Sequence, residues 1–371
     1  MPLILLTLIF IRPFISSLAF PSTNMVYSYS LMLFLGLYII GHGIDRQGLK
    51  PLKLPLIIFC ISLVISVFFS QDRLNTINEL YKYIIGILLL IVFASAVRET
   101  KLKIINIIIY AGFIISLLAI YQYFFGFRHL LEYMHQNNIN SDFALDYLQP
   151  KRVFFPFVTA DILGGYLIMI LMLLLIDKKY TWLIFPILCA LLLTKSLGAF
   201  LSLFLGLIVY FCLQDSAKRK QAVFLLGLLA LTIVLIFVIR QITSREHAQP
   251  VFSILARINY WLGALRVIKA HPIAGVGLGN FSLAASRYAH NSYLQIWAEA
   301  GALGFISFLA VVFTIIKIGY ARIKQAKDSA MLRGLMVALV MLLFHNFIDF
   351  TFFLPEVSFI WWVIAGLVIS A

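Results

Sequence analysis

Long apolar runs separated by short polar clusters dominate the chain, without the regular alternation of a half-buried strand. A helix that crosses a bilayer needs about 20 mostly apolar residues, within roughly 17 to 25. On that ruler the pattern predicts spans near 3–20, 25–41, 54–70, 80–97, 104–125, 157–176, 181–195, 198–213, 222–240, 294–316, 331–346 and 357–371. The expected fold class is an all-α integral membrane protein of about 12 transmembrane helices, with residues 1–371 as one polytopic domain. The opening MPLILLTLIF has neither a basic leader nor a small-residue cleavage site, so it reads as a retained first helix.

Composition sharpens the class. Of 371 residues 63% are hydrophobic and 12% charged, whereas a soluble domain is about half apolar and about a quarter charged. The formal net charge of +14 is scattered in small clusters between apolar runs, with no nucleic-acid motif, so no nucleic-acid partner is expected. Alternate short loops carry Arg46, Lys50 and Lys53; Arg98, Lys101 and Lys103; Lys178 and Lys179; Lys218, Arg219 and Lys220; and Lys317, Arg322, Lys324 and Lys327. The positive-inside bias puts these, and both termini, on the cytoplasmic side.

Two longer segments fall on the other side: a smaller outer loop, 126–156, and a large one, 241–293. Both are basic, with Arg128, Lys151 and Arg152 in the first and Arg245, Arg257, Arg266, Lys269 and Arg287 in the second. Translocated cations run against the topological bias, which points to a use for the charge; long loops also cross regardless of charge. Cys60, Cys189 and Cys212 fall in or at the ends of spans, so no disulfide or thiolate metal site is expected. Gly-x-Gly-x-Gly at 275–279 lacks the preceding strand and Lys-Ser/Thr partner of a phosphate loop and is not read as a nucleotide site.

Within the large loop, Ile258, Trp261, Leu262, Leu265 and Ile268 recur at helical spacing, predicting an amphipathic helix at the membrane interface. Arg257, Tyr260 and Ala264 share its other face. From the pattern alone, snorkelling of its arginines to lipid headgroups is the favoured reading, and Arg257 aimed into a cavity the alternative. The next segment, RYAHNSYLQIWAEAG, opens a span with ionisable residues. If the helix begins near His290, then His290, Leu294 and Trp297 share one face, and Ser292, Gln295 and Glu299 the opposite one. A charge inside the bilayer costs about 2.5 to 3.5 kcal/mol on insertion scales, so Glu299 should face a polar partner or water. The plain alternatives are an ion pair for Glu299 with an arginine of another segment, and an interfacial hydrogen bond for His290.

AHNSYLQIWAEAGALGFISFL resembles the His-Asn…Glu-x-Gly-x-x-Gly signature of the O-antigen ligase and O-antigen polymerase superfamily of bacterial membrane glycosyltransferases. RINYWLGALRVIKAHPIAGVGLGNF is similar to the family's Arg…Trp…Ala and Pro-x-x-Gly-x-Gly segment, and HNFIDFTFFLPEVSFIWWVIAGL to its final helix pair. RVFFPFVTADILGGYLIM, from Arg152, resembles more weakly the Arg-x-x-Gly-x-Phe segment. In TKSLGAFLSLFLG, Leu197 stands where the family usually has an arginine. Lys195 is the nearest cation, but an ammonium does not reproduce a bidentate guanidinium; Arg152 or Arg287 is the other candidate to compensate.

The resemblance implies a multi-pass enzyme of the cytoplasmic (inner) membrane with its active site on the periplasmic face. Its donor would be a glycan on undecaprenyl diphosphate, its acceptor lipid A-core or another surface glycan, and its surroundings membrane lipids. No nucleotide, cofactor or metal is expected, because the diphosphate is itself the leaving group. On this reading His290 is the catalytic base, and Arg257, with Arg287, Arg152 and Lys195, binds the diphosphate. Glu299, Asn291, His345 and Asp349 are positioning or structural residues. Direct displacement would make the enzyme a metal-independent, inverting glycosyltransferase. A ligase is expected, with a polysaccharide polymerase using the same donor as the alternative. A lipid-linked glycan transporter or binder is the non-enzymatic alternative, disfavoured because the ionisable residues gather at one face.

Overall fold

The computed structural model describes residues 3–44, 46–214, 219–246, 249–326 and 329–370; Lys218 and Lys327, read above as topological signals, lie outside them. The described chain is helical, with a lone bridge between Leu283 and Ser286. Its helices are α1 (Leu3–Ile11), α2 (Pro21–His42), α3 (Arg46–Leu49), α4 (Lys53–Phe68), α5 (Arg73–Ala94), α6 (Arg98–Tyr121), α7 (Phe127–Gln136) and α8 (Asp142–Leu148). They continue as α9 (Ala160–Leu173), α10 (Ile184–Thr194), α11 (Leu197–Cys212), α12 (Arg219–Thr243), α13 (Pro250–Ala270), α14 (Ser292–Gln325), α15 (Ala330–His345) and α16 (Pro355–Ile369). Among the described residues, seven helices are long and apolar enough to cross a membrane, and five shorter apolar helical stretches accompany them. The seven include α13, expected at the interface, and the segment 126–156, expected as the smaller outer loop, contains the short helices α7 and α8.

α16 is the axis of the bundle, buried along its whole length, and α9 is nearly as enclosed. Close packing in the bundle depends on small residues, since helices in lipid gain little from apolar burial alone. A Cβ at Gly86 of α5 would lie 2.3 Å from the Trp362 indole nitrogen, and one at Gly206 of α11 would lie 2.2 Å from Met341. α12 is the opposite case, with Val223, Phe224, Leu228, Leu231 and Val234 exposed as a lipid-facing helix requires.

Polar contacts fix the two ends of α16. At its start, Glu356 accepts from Arg12 at 3.2 Å and from the Ser17 amide at 3.1 Å, and Arg12 also donates to Asn24 at 2.9 Å. This buried group ties the turn between α1 and α2 to the axis. At the other end, Lys101 donates to the Ser370 carbonyl at 2.9 Å and Arg322 to the Val368 carbonyl at 3.4 Å. Cations there satisfy the unpaired carbonyls of the helix terminus.

The glycine-rich segment after α13 docks into a break in α14. Gly301 has φ 69° and ψ −176°, which interrupts the helix and leaves carbonyls of its first turns without intrahelical partners. Val276 and Gly277 donate to the Ala298 and Glu299 carbonyls at 2.9 and 3.0 Å, and Ala302 donates to the Pro272 carbonyl at 2.9 Å. On the segment's other side, Gln71 donates to the Val276 carbonyl at 3.1 Å and Asn75 to the Gly279 carbonyl at 2.8 Å. The Pro-x-x-Gly-x-Gly and Glu-x-Gly patterns are therefore two halves of one backbone clasp, which joins α13 to α14 and anchors both on α5.

A Cβ at Gly301 would fall 1.9 Å from the Ile273 carbonyl oxygen, in a backbone region that is essentially glycine-only and costs other residues about 1 to 3 kcal/mol. Gly301→Ala is expected to lower the thermal unfolding midpoint and yield of the detergent-purified protein. Gly227→Ala, whose Cβ would meet nothing within 4 Å, is expected to leave both unchanged or slightly improved. Equal midpoints for the two variants would show that the clasp does not hold the fold.

Candidate active site

Four helix ends meet where the clasp delivers α13 and α14. α9 starts at the N-cap Thr159 and carries Asp161 in its first turn, where a carboxylate is favoured by the helix dipole. α10 ends at Thr194, Lys195 turns the chain in a left-handed conformation (φ 51°), and Ser196 caps α11. The Ser196 hydroxyl donates to Asp161 at 2.5 Å. Arg152 donates to the same carboxylate at 3.1 Å and to the Thr194 carbonyl at 3.1 Å. From α13, Arg257 places Nη2 3.8 Å from Asp161 Oδ2, and its Nε donates to the Ile348 carbonyl at 2.9 Å. Arg240, in the last turn of α12, donates to the Lys195 carbonyl at 3.3 Å.

Arg152, Asp161, Arg240 and Arg257 line a cavity of about 290 Å³, completed by Asp146, Tyr147, Ser253, Tyr260 and His290 among others. Three guanidinium groups against two carboxylates leave the cavity cationic. Such a site suits a diphosphate, whose oxygens accept paired, charge-assisted hydrogen bonds. Tyr147 keeps its proton, burial pushing its pKa up to about 12, and so adds a hydroxyl donor to the wall.

His290 sits at the cavity edge just before α14, with φ 49°. Its carbonyl accepts from the Trp261 indole at 3.2 Å. The imidazole stacks on Tyr260 at 5.4 Å between centroids and meets Phe350 edge-on at 4.8 Å. Burial lowers its pKa below the ordinary value of 6.5; Asp349 opposes that shift and Arg257 adds to it. The ring is therefore neutral at neutral pH, and its Nδ1 is buried with no hydrogen-bond partner among the described residues. Burial is the leading cause, ahead of the charge of Arg257.

The other anticipated residues divide. Arg257 faces the cavity with Tyr260, while Ile258, Leu262 and Leu265 are exposed on the far face; the cavity reading of α13 replaces the snorkelling one for this arginine. α14 starts at Ser292, so His290 stands outside the helix and does not share its periodicity with Leu294 and Trp297. Asn291 is the helix cap, accepting from the Tyr293 and Leu294 amides at 3.0 and 3.1 Å. Glu299 accepts from Gln295 at 2.9 Å, and Gln295 accepts from the Ala289 amide at 3.1 Å. Glu299 thus orients an amide that holds the backbone beside His290. His345 and Asp349 approach to 3.4 Å, and Asp349 accepts from the Phe350 amide at 2.6 Å, bracing the ring that packs on His290.

Two cations lie apart from the role expected of them. Arg287 is 58% exposed and 3.5 Å from Glu79, beside a small pocket with Lys82, Tyr288 and Glu299. The Lys195 ammonium turns to the Pro150 carbonyl at 2.6 Å, and only its own carbonyl reaches Arg240. Burial, then the charge of Arg152, lowers its pKa. The sequence reading passed over Asp161 and Arg240. Both had a signal: an ionisable residue within or closing an apolar run has to meet a polar partner.

Asp161→Asn would leave guanidinium groups with less compensating charge, a loss of about 3 to 5 kcal/mol when such a pair is fully buried and less here, where the aspartate is 21% exposed. Inorganic diphosphate should restore more of the thermal midpoint in Asp161→Asn than it adds to the unmodified protein, because the anion replaces the missing carboxylate. Equal diphosphate shifts would separate Asp161 from anion binding.

No curated protein matches the chain. Residues 182–309 match the family model described as O-antigen ligase. The match runs from the start of α10 into α14, taking in Ser196, Arg240, Arg257, His290 and Glu299 and leaving Arg152, Asp161 and His345 outside. That segment is similar to the O-antigen ligase family, consistent with the superfamily that the His290 to Gly304 signature resembles.

Proposed function

We propose that the protein is an O-antigen ligase-type glycosyltransferase that moves a glycan from undecaprenyl diphosphate to lipid A-core or another surface acceptor. The observation that carries this reading is the joining of a cationic, phosphate-sized cavity to a neutral histidine, His290, at its edge. The family match supports the ligase or polymerase class. The cavity end faces the periplasm and the Lys101 and Arg322 end the cytoplasm, following the positive-inside bias.

In the reaction, Arg152, Arg240 and Arg257 hold the donor diphosphate while His290 accepts the proton of an acceptor sugar hydroxyl. The hydroxyl oxygen forms its bond to the anomeric carbon as the bond from that carbon to the diphosphate oxygen breaks. The electron pair leaves with the diphosphate, where the guanidinium groups stabilise the charge. The proton stays on His290 until solvent or product takes it, and in-line attack inverts the anomeric centre. Glu299, through Gln295, and Asp349, through Phe350, position the histidine. The chemistry of a polymerase differs only in the acceptor, which the assay below identifies.

Purified protein reconstituted with undecaprenyl-diphosphate glycan and lipid A-core, without nucleotide, should yield glycosylated lipid A-core by mass analysis. Longer chains on the undecaprenyl carrier would instead make it a polymerase, and no covalent change with either acceptor would refute a transfer role for these substrates. His290→Ala should lower the rate about a hundredfold to ten-thousandfold. A base works only when neutral, so activity should fall as pH drops through the lowered His290 pKa. The acid limb then lies below pH 6.5, the ordinary value; a limb at or above it would contradict the assignment.

A further inference from the structure

A second cavity, of about 630 Å³, lies between α9, α10, α11 and α12. Its lining is almost wholly aliphatic and aromatic, with Leu192, Phe200, Leu203 and Leu228 on its walls. It opens sideways into the surroundings of the bundle, since Leu192 is 42% and Leu228 53% exposed. These four helices are the ones whose opposite ends frame the arginine cavity: Asp161 begins α9, Thr194 ends α10, Ser196 caps α11 and Arg240 closes α12.

Depth identifies the occupant. Along α12, Thr232 lies eight residues and Gln221 nineteen residues before Arg240, or about 12 and about 28 Å at the helical rise. The apolar core of a bilayer is about 30 Å thick, so one leaflet takes up about 15 Å. The lining begins near the arginine end, at Leu192 and Phe200, and on α12 continues to Gln221 in the leaflet remote from the arginines. An ordinary diacyl lipid with its phosphate at Arg240 would end near the midplane and leave the far part of this space unfilled. Between the two cavities, Val234, Leu235 and Val238 form an exposed apolar track on α12 along which a tail can descend.

We propose that this cavity holds the far part of a polyprenyl tail, so that the protein selects its donor by a chain longer than one leaflet as well as by its diphosphate. The proposal rests on the donor reading above. It assigns to α9–α12 one amphiphile, with the anionic head at the cluster of Arg152, Arg240 and Arg257 and a single long apolar chain below. The glycan makes no contribution to this selection.

The test is binding of undecaprenyl diphosphate and farnesyl diphosphate, neither carrying a glycan, to the full-length protein in detergent, measured by native mass spectrometry. The longer lipid should bind at least about tenfold tighter, a difference that burial of a few extra methylenes suffices to produce. Leu225→Trp, which fills the far part of the cavity fifteen residues before Arg240, should bring the two affinities within about twofold by weakening only the longer lipid. Leu228→Trp, at a half-exposed position, makes the same test if the first variant does not fold. Equal affinities in the unmodified protein would overturn the tail assignment and leave the diphosphate reading intact, as would displacement of undecaprenyl diphosphate by an equal amount of dioleoyl phosphatidic acid. Failure of both diphosphates to bind would overturn the head-group reading, and the tail assignment with it.

Discussion

Asp161 sets the constraint on which the site depends. Arg152 and Arg257 converge on its carboxylate from 3.1 and 3.8 Å, and Arg240 lines the same cavity. Without an anion between them, like charges at this range in a poorly solvated cavity would repel one another and drive the helix ends apart. The carboxylate is fixed in turn by Ser196 and by its place at the start of α9. One side chain therefore keeps three cations in register for a substrate that brings more negative charge than the aspartate supplies.

The arginines come from separate parts of the chain, and their convergence is a problem of backbone placement. α13 brings Arg257, the loop after it brings His290, and the clasp at Gly301 decides where both lie. The break in α14 is useful because it frees carbonyls for the segment Pro272 to Gly279 to bind, and that segment is held on its other side by Gln71 and Asn75 of the turn before α5 and of α5 itself. A glycine pattern that superficially suggests phosphate binding thus acts on the site by supporting it. His290 then lies between the Tyr260 and Phe350 rings, where burial keeps the imidazole neutral.

Much of the helical layout was legible because a bilayer requires long apolar runs, and each run marks its helix. His290 and Arg257 were legible as chemistry only through the family pattern; the periodicity of α13 left snorkelling and cavity readings open. Asp161 and Arg240 were hidden by the same apolar runs that revealed the helices, since single charges at span ends look like boundaries. Arg287 illustrates the converse limit. It neighbours His290 in the sequence, but the turn through Tyr288 directs it to Glu79, and no local pattern encodes that turn. Lys195 was close in sequence to the missing family arginine, yet its left-handed backbone sends the ammonium to Pro150.

A structure of the protein bound to undecaprenyl diphosphate, by electron cryomicroscopy in a lipid nanodisc, tests the central claim most directly. The account predicts both phosphates among Arg152, Arg240 and Arg257, with the oxygen that would carry the sugar facing His290 across a gap that the anomeric carbon and the attacking hydroxyl would fill. Phosphates seated instead against Arg287 and Lys82, in the pocket beside Glu79, would contradict it.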